Sequence, residues 1–274
     1  MTMKVTIKTC IAAMAILLPT SGACAAKIQK VRAERSDSTQ ILFIGNSFTY
    51  YNNMPEMLRQ LASSLNLKMA PSRAIKGGQT LKGHLEDEFL PRILNDGGFD
   101  YAVIQDASYP PSYSTQDVIN NVYPYAHKID SLAKAGSPDV KTIYYMTWGH
   151  KDGIRKANKT DYPLNHTYHG MQQRLNTSYL EMAHDNGGIC APVGMAWERV
   201  VNERPDIDLF SAKDRYHPSK EGSYLAACTI LSTILGKPFV SPYYAGLPEE
   251  VALYLQKTAG ETVADNLALI GIKQ

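Results

Sequence analysis

The stretch Ile41-Leu42-Phe43-Ile44-Gly45-Asn46-Ser47-Phe48-Thr49 decides how the chain is read. Its apolar run, with a polar segment before it and a glycine after it, has the length and composition of a strand buried on both faces. Such strands belong to parallel sheets covered by helices on each side. Gly45 lets the chain turn sharply out of the sheet and leaves the next polar side chains at its edge. Ser47 therefore stands where a nucleophile would stand, although a serine after a buried strand more commonly serves as a turn or capping residue.

The same signature recurs downstream. Tyr101–Ile104 (YAVI), Thr142–Met146 (TIYYM) and Gly188–Val193 (GICAPV) are further short apolar runs, and the residues near Lys68–Ile75 can supply one more. Helical patterns fill the intervals. Asn53-Met54-Pro55-Glu56 reads as an N-cap, an early proline and a capping-box glutamate, followed by Met57, Leu58, Leu61 and Leu65 at helical spacing. Val118 to Ala135, Met171 to His184 (stopped by Asn186-Gly187-Gly188) and Gly222 to Leu235 (packed by Leu225, Ile230 and Ile234) read as further helices. Strands alternating with helices predict an α/β fold, a three-layer α/β/α sandwich on a central parallel sheet. Chemistry in such sheets gathers at the carboxyl ends of the strands.

Length and composition bound this reading. The chain has 274 residues, enough for one α/β domain and short for two. Hydrophobic residues at 44% and charged residues at 20% exclude a disordered or fibrous chain. Residues 1–26 read as a secretory signal, with Lys4 and Lys8 ahead of the apolar run Cys10 to Pro19. That run is too short to span a bilayer, which takes about 20 apolar residues. Ala23-Cys24-Ala25 fits a cleavage site, and Ser21-Gly22-Ala23-Cys24 also fits a bacterial lipobox that would put a lipid on Cys24. Export to the periplasm or cell surface of a bacterium is expected either way, with membrane contact only through Cys24. Residues 27–39 read as a polar tether and 40–274 as a single domain. Lys+Arg minus Asp+Glu is 28 − 26 = +2, and removing Lys4 and Lys8 with the signal leaves 26 − 26 = 0. A neutral body lacks the footprint of a nucleic-acid binder. Cys190 and Cys228 stay in the folded part, both in apolar segments, as free buried thiols or, in an oxidising compartment, a disulfide.

A serine needs a base. His127 and His184 fall in amphipathic helices, and His150, His166 and His169 in a polar loop region. The spacing of His166 and His169 is compatible with a metal, but no third ligand follows it, and no metal or organic cofactor is expected. The tracts at Asn158, Asn165 and Asn176 are sequons to which no role is given. His84 follows Gly77-Gly78 and is read as facing a cleft, where it would bind substrate. His217 is different, because it sits in Asp214-Arg215-Tyr216-His217-Pro218-Ser219. Residues three apart meet across one turn, so Asp214 can hold the Nδ1–H and leave Nε2 for a serine. Pro218 holds His217 extended and is read as the first position of the next helix. Gly77-Gly78 can offer backbone N–H groups to an oxyanion or form a plain tight turn, and Gln105, just past YAVI, can offer a side-chain amide to the oxyanion or tie down its own loop. Tyr109 to Tyr125 is rich in tyrosine and proline and offers aromatic faces to a sugar, or ordinary packing. Trp148 lines the pocket or belongs to the core.

Taken in order along residues 41 to 235, these features resemble the SGNH (GDSL-like) hydrolase superfamily. The resemblance assigns Ser47 as nucleophile, Gly78 (with Gly77 as fallback) as the oxyanion glycine, and Asp214 and His217 as the remainder of a catalytic triad. Two blocks depart from the superfamily pattern. Gly45-Asn46-Ser47 replaces Gly-Asp-Ser, and Gln105-Asp106 replaces Gly-x-Asn-Asp, which makes Gln105 the candidate second oxyanion donor. The resemblance implies ester hydrolysis without a cofactor, and export, neutrality and the tyrosines direct it toward O-acetyl groups on carbohydrates. A glycan-binding module without activity and a lipid-directed esterase are the alternatives.

Overall fold

The computed structural model describes residues 37–154 and 162–273; the expected signal, Cys24, most of the tether and the Asn158 sequon lie outside them. Parallel strands β1 (Thr39–Gly45), β2 (Met69–Ile75), β3 (Tyr101–Ile104), β4 (Lys141–Tyr145) and β5 (Ile189–Ala191) form a five-stranded sheet in the order β2-β1-β3-β4-β5. The apolar runs form strands because every residue in them has a layer to face. Ile41 and Phe43 enter one core with Val103, Ile143 and Tyr145, while Leu42 and Ile44 enter another with Ala102, Ile104 and Tyr144. Burial of both faces removes the polar alternation that a half-exposed strand would show.

A single helical turn, α1 (Ser47–Tyr50), leaves β1. The first core is closed by α2 (Met54–Ser64), α8 (Val193–Glu203), α9 (Lys220–Leu235) and α10 (Glu249–Ala264). The second is closed by α3 (Leu81–Glu86), α4 (Phe89–Asp96), α5 (Thr115–Asn121), α6 (Tyr123–Gly136) and α7 (Tyr168–Asp185). This is the expected three-layer sandwich. The chain runs from β1 to β2 on one side and then crosses to β3 on the other, so the ends of β1 and β3 flank the crevice where the winding reverses.

Several local expectations are corrected. β1 begins at Thr39, inside the expected tether, because Thr39 pairs with Met69. The helix read from Val118 to Ala135 is two helices, broken at Val122 (φ −124°, ψ −59°) with Pro124 in the first turn of α6. Asn53 does not cap α2. It is left-handed (φ 57°), its side chain accepts from Arg73 at 2.5 Å, and Glu56 turns to Arg59 at 2.6 Å. Pro218 precedes α9 without starting it, because Ser219 takes the cap by accepting from the Gly222 N–H at 3.0 Å. Cys190 and Cys228 are free, fully buried, and belong to the two different cores on opposite faces of the sheet.

Candidate active site

Ser47 opens α1 at the carboxyl end of β1. Asn46 makes this turn possible: its Oδ1 accepts from the Phe48 N–H at 3.2 Å, and its Nδ2 donates to the Gln79 carbonyl at 2.9 Å. One side chain thus starts the turn and holds the Gly77-Gly78 segment that follows β2. The first N–H groups of a helix lack intrahelical acceptors, so the Ser47 amide is open. Gly78 is exposed and left-handed (φ 69°), with no atom within 4 Å of the position a Cβ would occupy. No hydrogen bond takes its backbone N–H among the described residues.

His217 reaches this turn from the loop before α9. Its Nε2 lies 2.7 Å from Ser47 Oγ, and its Nδ1 lies 2.7 Å from Asp214 Oδ2. Asp214 Oδ1 also accepts the backbone N–H groups of Tyr216 and His217, at 3.2 and 3.0 Å. Partial burial pushes the Asp214 carboxyl up, but the bonds from the His217 ring and the two N–H groups outweigh it and hold the group below its ordinary value. An ionised Asp214 fixes the His217 proton on Nδ1 and leaves Nε2 as an acceptor facing Ser47. The ring is also held by packing. Tyr51 lies flat on it at 4.2 Å with 2° between planes, and Tyr216 contacts it at 4.4 Å.

Several clamps keep the loops in register. Asn52 Nδ2 donates to the Ser219 carbonyl at 2.8 Å and to Ser223 Oγ at 2.9 Å, which ties the turn after β1 to the start of α9. Arg215 is left-handed (φ 65°), a strained state for a residue with a side chain. It is held there by a two-pronged pair with Asp152, at 2.5 and 2.9 Å. The Lys151 N–H donates to the Arg215 carbonyl at 3.0 Å, and Trp148 Nε1 donates to the Tyr216 carbonyl at 3.0 Å.

Three sequence assignments are corrected by this geometry. Gln105 is fully buried. Its Oε1 accepts from the Asn46 N–H (3.0 Å) and the Thr49 hydroxyl (2.9 Å), and its Nε2 donates to Asn46 Oδ1 (3.1 Å) and to the Asp106 carbonyl. The amide is consumed in fastening the end of β1 to the end of β3, so it has no hydrogen left for a ligand. Gly45 is required beneath it, because a Cβ there would lie 2.6 Å from both Gln105 Oε1 and Thr49 Oγ1. His84 is buried and faces no cleft. Its Nε2 is 2.8 Å from the Gly45 carbonyl, which makes that nitrogen a donor, and burial lowers its pKa. Trp148 lines no pocket. It is fully buried, stacked between Phe48 (4.7 Å) and Trp197 (3.7 Å), and supports the site from behind.

One residue that sequence reasoning passed over, His150, stands close to the pair. His150, read as a loop histidine, lies with its ring on Tyr216 at 4.8 Å and its Nε2 3.1 Å from Ser108 Oγ. No local pattern marks it, because its partners come from the end of β3 and from the His217 loop. His169 pairs with Glu198 at 3.0 Å. Tyr50 and Tyr109 are the exposed aromatics of this region, at 42% and 46% exposure.

No family model matches the chain, and no curated protein matches its sequence. Solved structures do match. A DUF4886 family protein from Bacteroides uniformis superposes with a TM-score of 0.65 at 18% identity, over 86% of this chain and 98% of that one. A protein assigned as a GDSL-like lipase from Parabacteroides merdae gives 0.55 at 15% identity, over 72% and 95%. A catalytic mutant of an acetylxylan esterase from Geobacillus stearothermophilus gives 0.50 at 16%, over 72% and 94%. The chain therefore has the SGNH/GDSL-like hydrolase fold, on which the residues above are arranged.

Proposed function

We propose that the protein is a serine esterase. The observation that carries this reading is the unbroken line Asp214 Oδ2–His217–Ser47 Oγ, with 2.7 Å at each joint. Ser47 Oγ attacks the ester carbonyl while His217 Nε2 takes its proton, and Asp214 supports the imidazolium. The negative charge on the carbonyl oxygen is met by the N–H groups of Ser47 and Gly78. The tetrahedral intermediate collapses and expels the alcohol, which takes its proton from His217. Water, deprotonated in turn by His217, attacks the acyl-Ser47, and the acid leaves as Ser47 regains its proton. The fold, shared with a GDSL-like lipase and an acetylxylan esterase, supports the same reaction class.

The proposed substrates are O-acetyl groups on carbohydrates, met outside the cytoplasm after cleavage of the signal in residues 1–26. The tyrosines around the site, Tyr50, Tyr51, Tyr109 and Tyr216, support a ligand with flat apolar faces between hydroxyls, as a sugar ring has. No helix among the described residues is long and apolar enough to cross a membrane. The reading is tested by labelling the full chain with a fluorophosphonate and mapping the adduct. A single adduct on Ser47 that disappears in His217→Ala is the expected result, and an unlabelled folded protein refutes it. Acetyl and octanoyl p-nitrophenyl esters then separate the substrate classes: a sharp fall beyond acetyl is expected, and a preference for octanoyl would move the substrate to lipids.

A further inference from the structure

A second serine–histidine pair stands beside the first. Ser108 follows β3, and Ser47 follows β1, the neighbouring strand, with Ile44 and Ile104 in register. These two strand ends flank the crevice where the winding reverses. Both Ser108 and His150 are half-buried. His150 packs on the face of Tyr216 at 4.8 Å, and Tyr216 in turn contacts His217 at 4.4 Å. The segment carrying His150 is bonded to the His217 loop at Lys151 and Trp148.

The two pairs differ in what stands behind each histidine. Asp214 backs His217, so His217 is built as a base. No carboxylate bonds the His150 ring among the described residues, and burial, with His217 nearby, pushes its pKa down to about 4. A neutral imidazole without an acid behind it is a poor base, yet its ring N–H remains a good donor. The Gln105 amide, the other side-chain donor at this strand end, is already consumed.

We propose that Ser108, oriented by His150, is the side-chain donor that meets the negative charge developing on the substrate carbonyl. The inference rests on the esterase reading. His150 Nε2–H donates to Ser108 Oγ, and this turns the Ser108 hydroxyl hydrogen outward toward the oxyanion. No proton changes owner in this pair. Ser108 is then a catalytic residue and His150 a positioning residue acting through it.

The test uses p-nitrophenyl acetate kinetics and the rate of fluorophosphonate labelling, since both place negative oxygen in the same hole. Ser108→Ala is expected to lower kcat by about 10²–10³-fold with KM little changed, and to slow labelling of Ser47 in parallel. Ser108→Thr, which keeps the hydroxyl, restores most of the loss. His150→Ala lowers kcat by a smaller factor, and adds nothing once Ser108 is alanine. The inference is overturned if Ser108→Ala leaves kcat unchanged, if its whole effect falls on KM, or if the Ser108 and His150 losses multiply. Failure of the esterase reading looks different: the wild type then fails to label, or Ser47→Ala turns over like the wild type.

Discussion

At the residue scale, the work of Asp214 is to choose a tautomer. Its two oxygens are occupied by the His217 ring and by two backbone N–H groups, so it can hold a proton on His217 Nδ1 without taking it. Asp214→Asn keeps the shape and lets the ring flip its tautomer, so kcat for p-nitrophenyl acetate is expected to fall by about 10³–10⁴-fold with the fold intact. Steady-state kinetics beside a thermal melt check this, and a loss under about tenfold would deny Asp214 the role. His150 makes a different prediction. Its ordinary pKa of 6.5 falls to about 4 in the folded chain, chiefly through burial. Between those values the unfolded chain binds a proton that the folded chain refuses, so stability falls as pH falls, by up to about tenfold in the folding constant per pH unit. Asp106 works in the opposite sense, because burial raises its pKa from 3.8 to about 6, and the folded chain then keeps a proton that the unfolded chain gives up. The measurement is therefore a difference. The stability of wild type relative to His150→Gln, from urea titrations, should decrease from pH 6.5 toward pH 4. Parallel curves would contradict the burial argument.

At the element scale, the turn after β1 is where sequence and fold meet most closely. Asn46 caps α1 and also grips Gln79, so it couples the nucleophile turn to the Gly78 segment. Asn46→Ala removes both and should cost about 1 kcal/mol as a lost cap, together with a drop in kcat as Gly78 loosens. Asn46→Asp keeps the capping oxygen and loses the Nδ2 donor. Its second carboxylate oxygen faces the Gln79 carbonyl in a buried turn, so stability should fall along with kcat, which denaturant midpoints and kinetics together reveal. Equal kcat in wild type and Asn46→Asp would show that the Gln79 bond does not position Gly78. The other elements tell the same story of competing partners. The helix read across Val118 to Ala135 breaks because Pro124 restarts it. The cap read at Asn53 fails because Arg73, from the neighbouring strand β2, takes its side chain first.

At the scale of the whole molecule, the sheet divides the interior into two separate cores, and each holds one cysteine. Burial pushes both thiols well above their ordinary pKa, and neither has any exposed surface. A thiol reagent should therefore react with Cys190 and Cys228 only as the domain unfolds, with identical melting curves with and without a reductant. Reaction in the native state, or a reductant-sensitive melt, would mean that the two layers are not packed as described. The same sheet order puts the ends of β1, β2 and β3 side by side, and the Asn52 bonds to Ser219 and Ser223 fasten the His217 loop to the turn after β1, which is how residues as distant in sequence as Ser47 and His217 come within 2.7 Å.

Local sequence determined a good deal. The apolar runs name four of the five strands, since a strand buried on both faces needs an unbroken run, whereas the edge strand β2 carries Pro71, Ser72 and Arg73 and shows none. The two glycine-bearing turns and Asp214-x-x-His217 are each set by neighbours along the chain. Tertiary structure alone decided which side chains remain free to act. Gln105, His84 and Trp148 have the right chemistry for a site, and packing spends it on Asn46, Gly45 and Tyr216. Ser108 and His150 lack any local signature, and the third dimension brings them together. A hydrogen-bonding group has a small number of partners to give, and only the folded chain determines which neighbours take them.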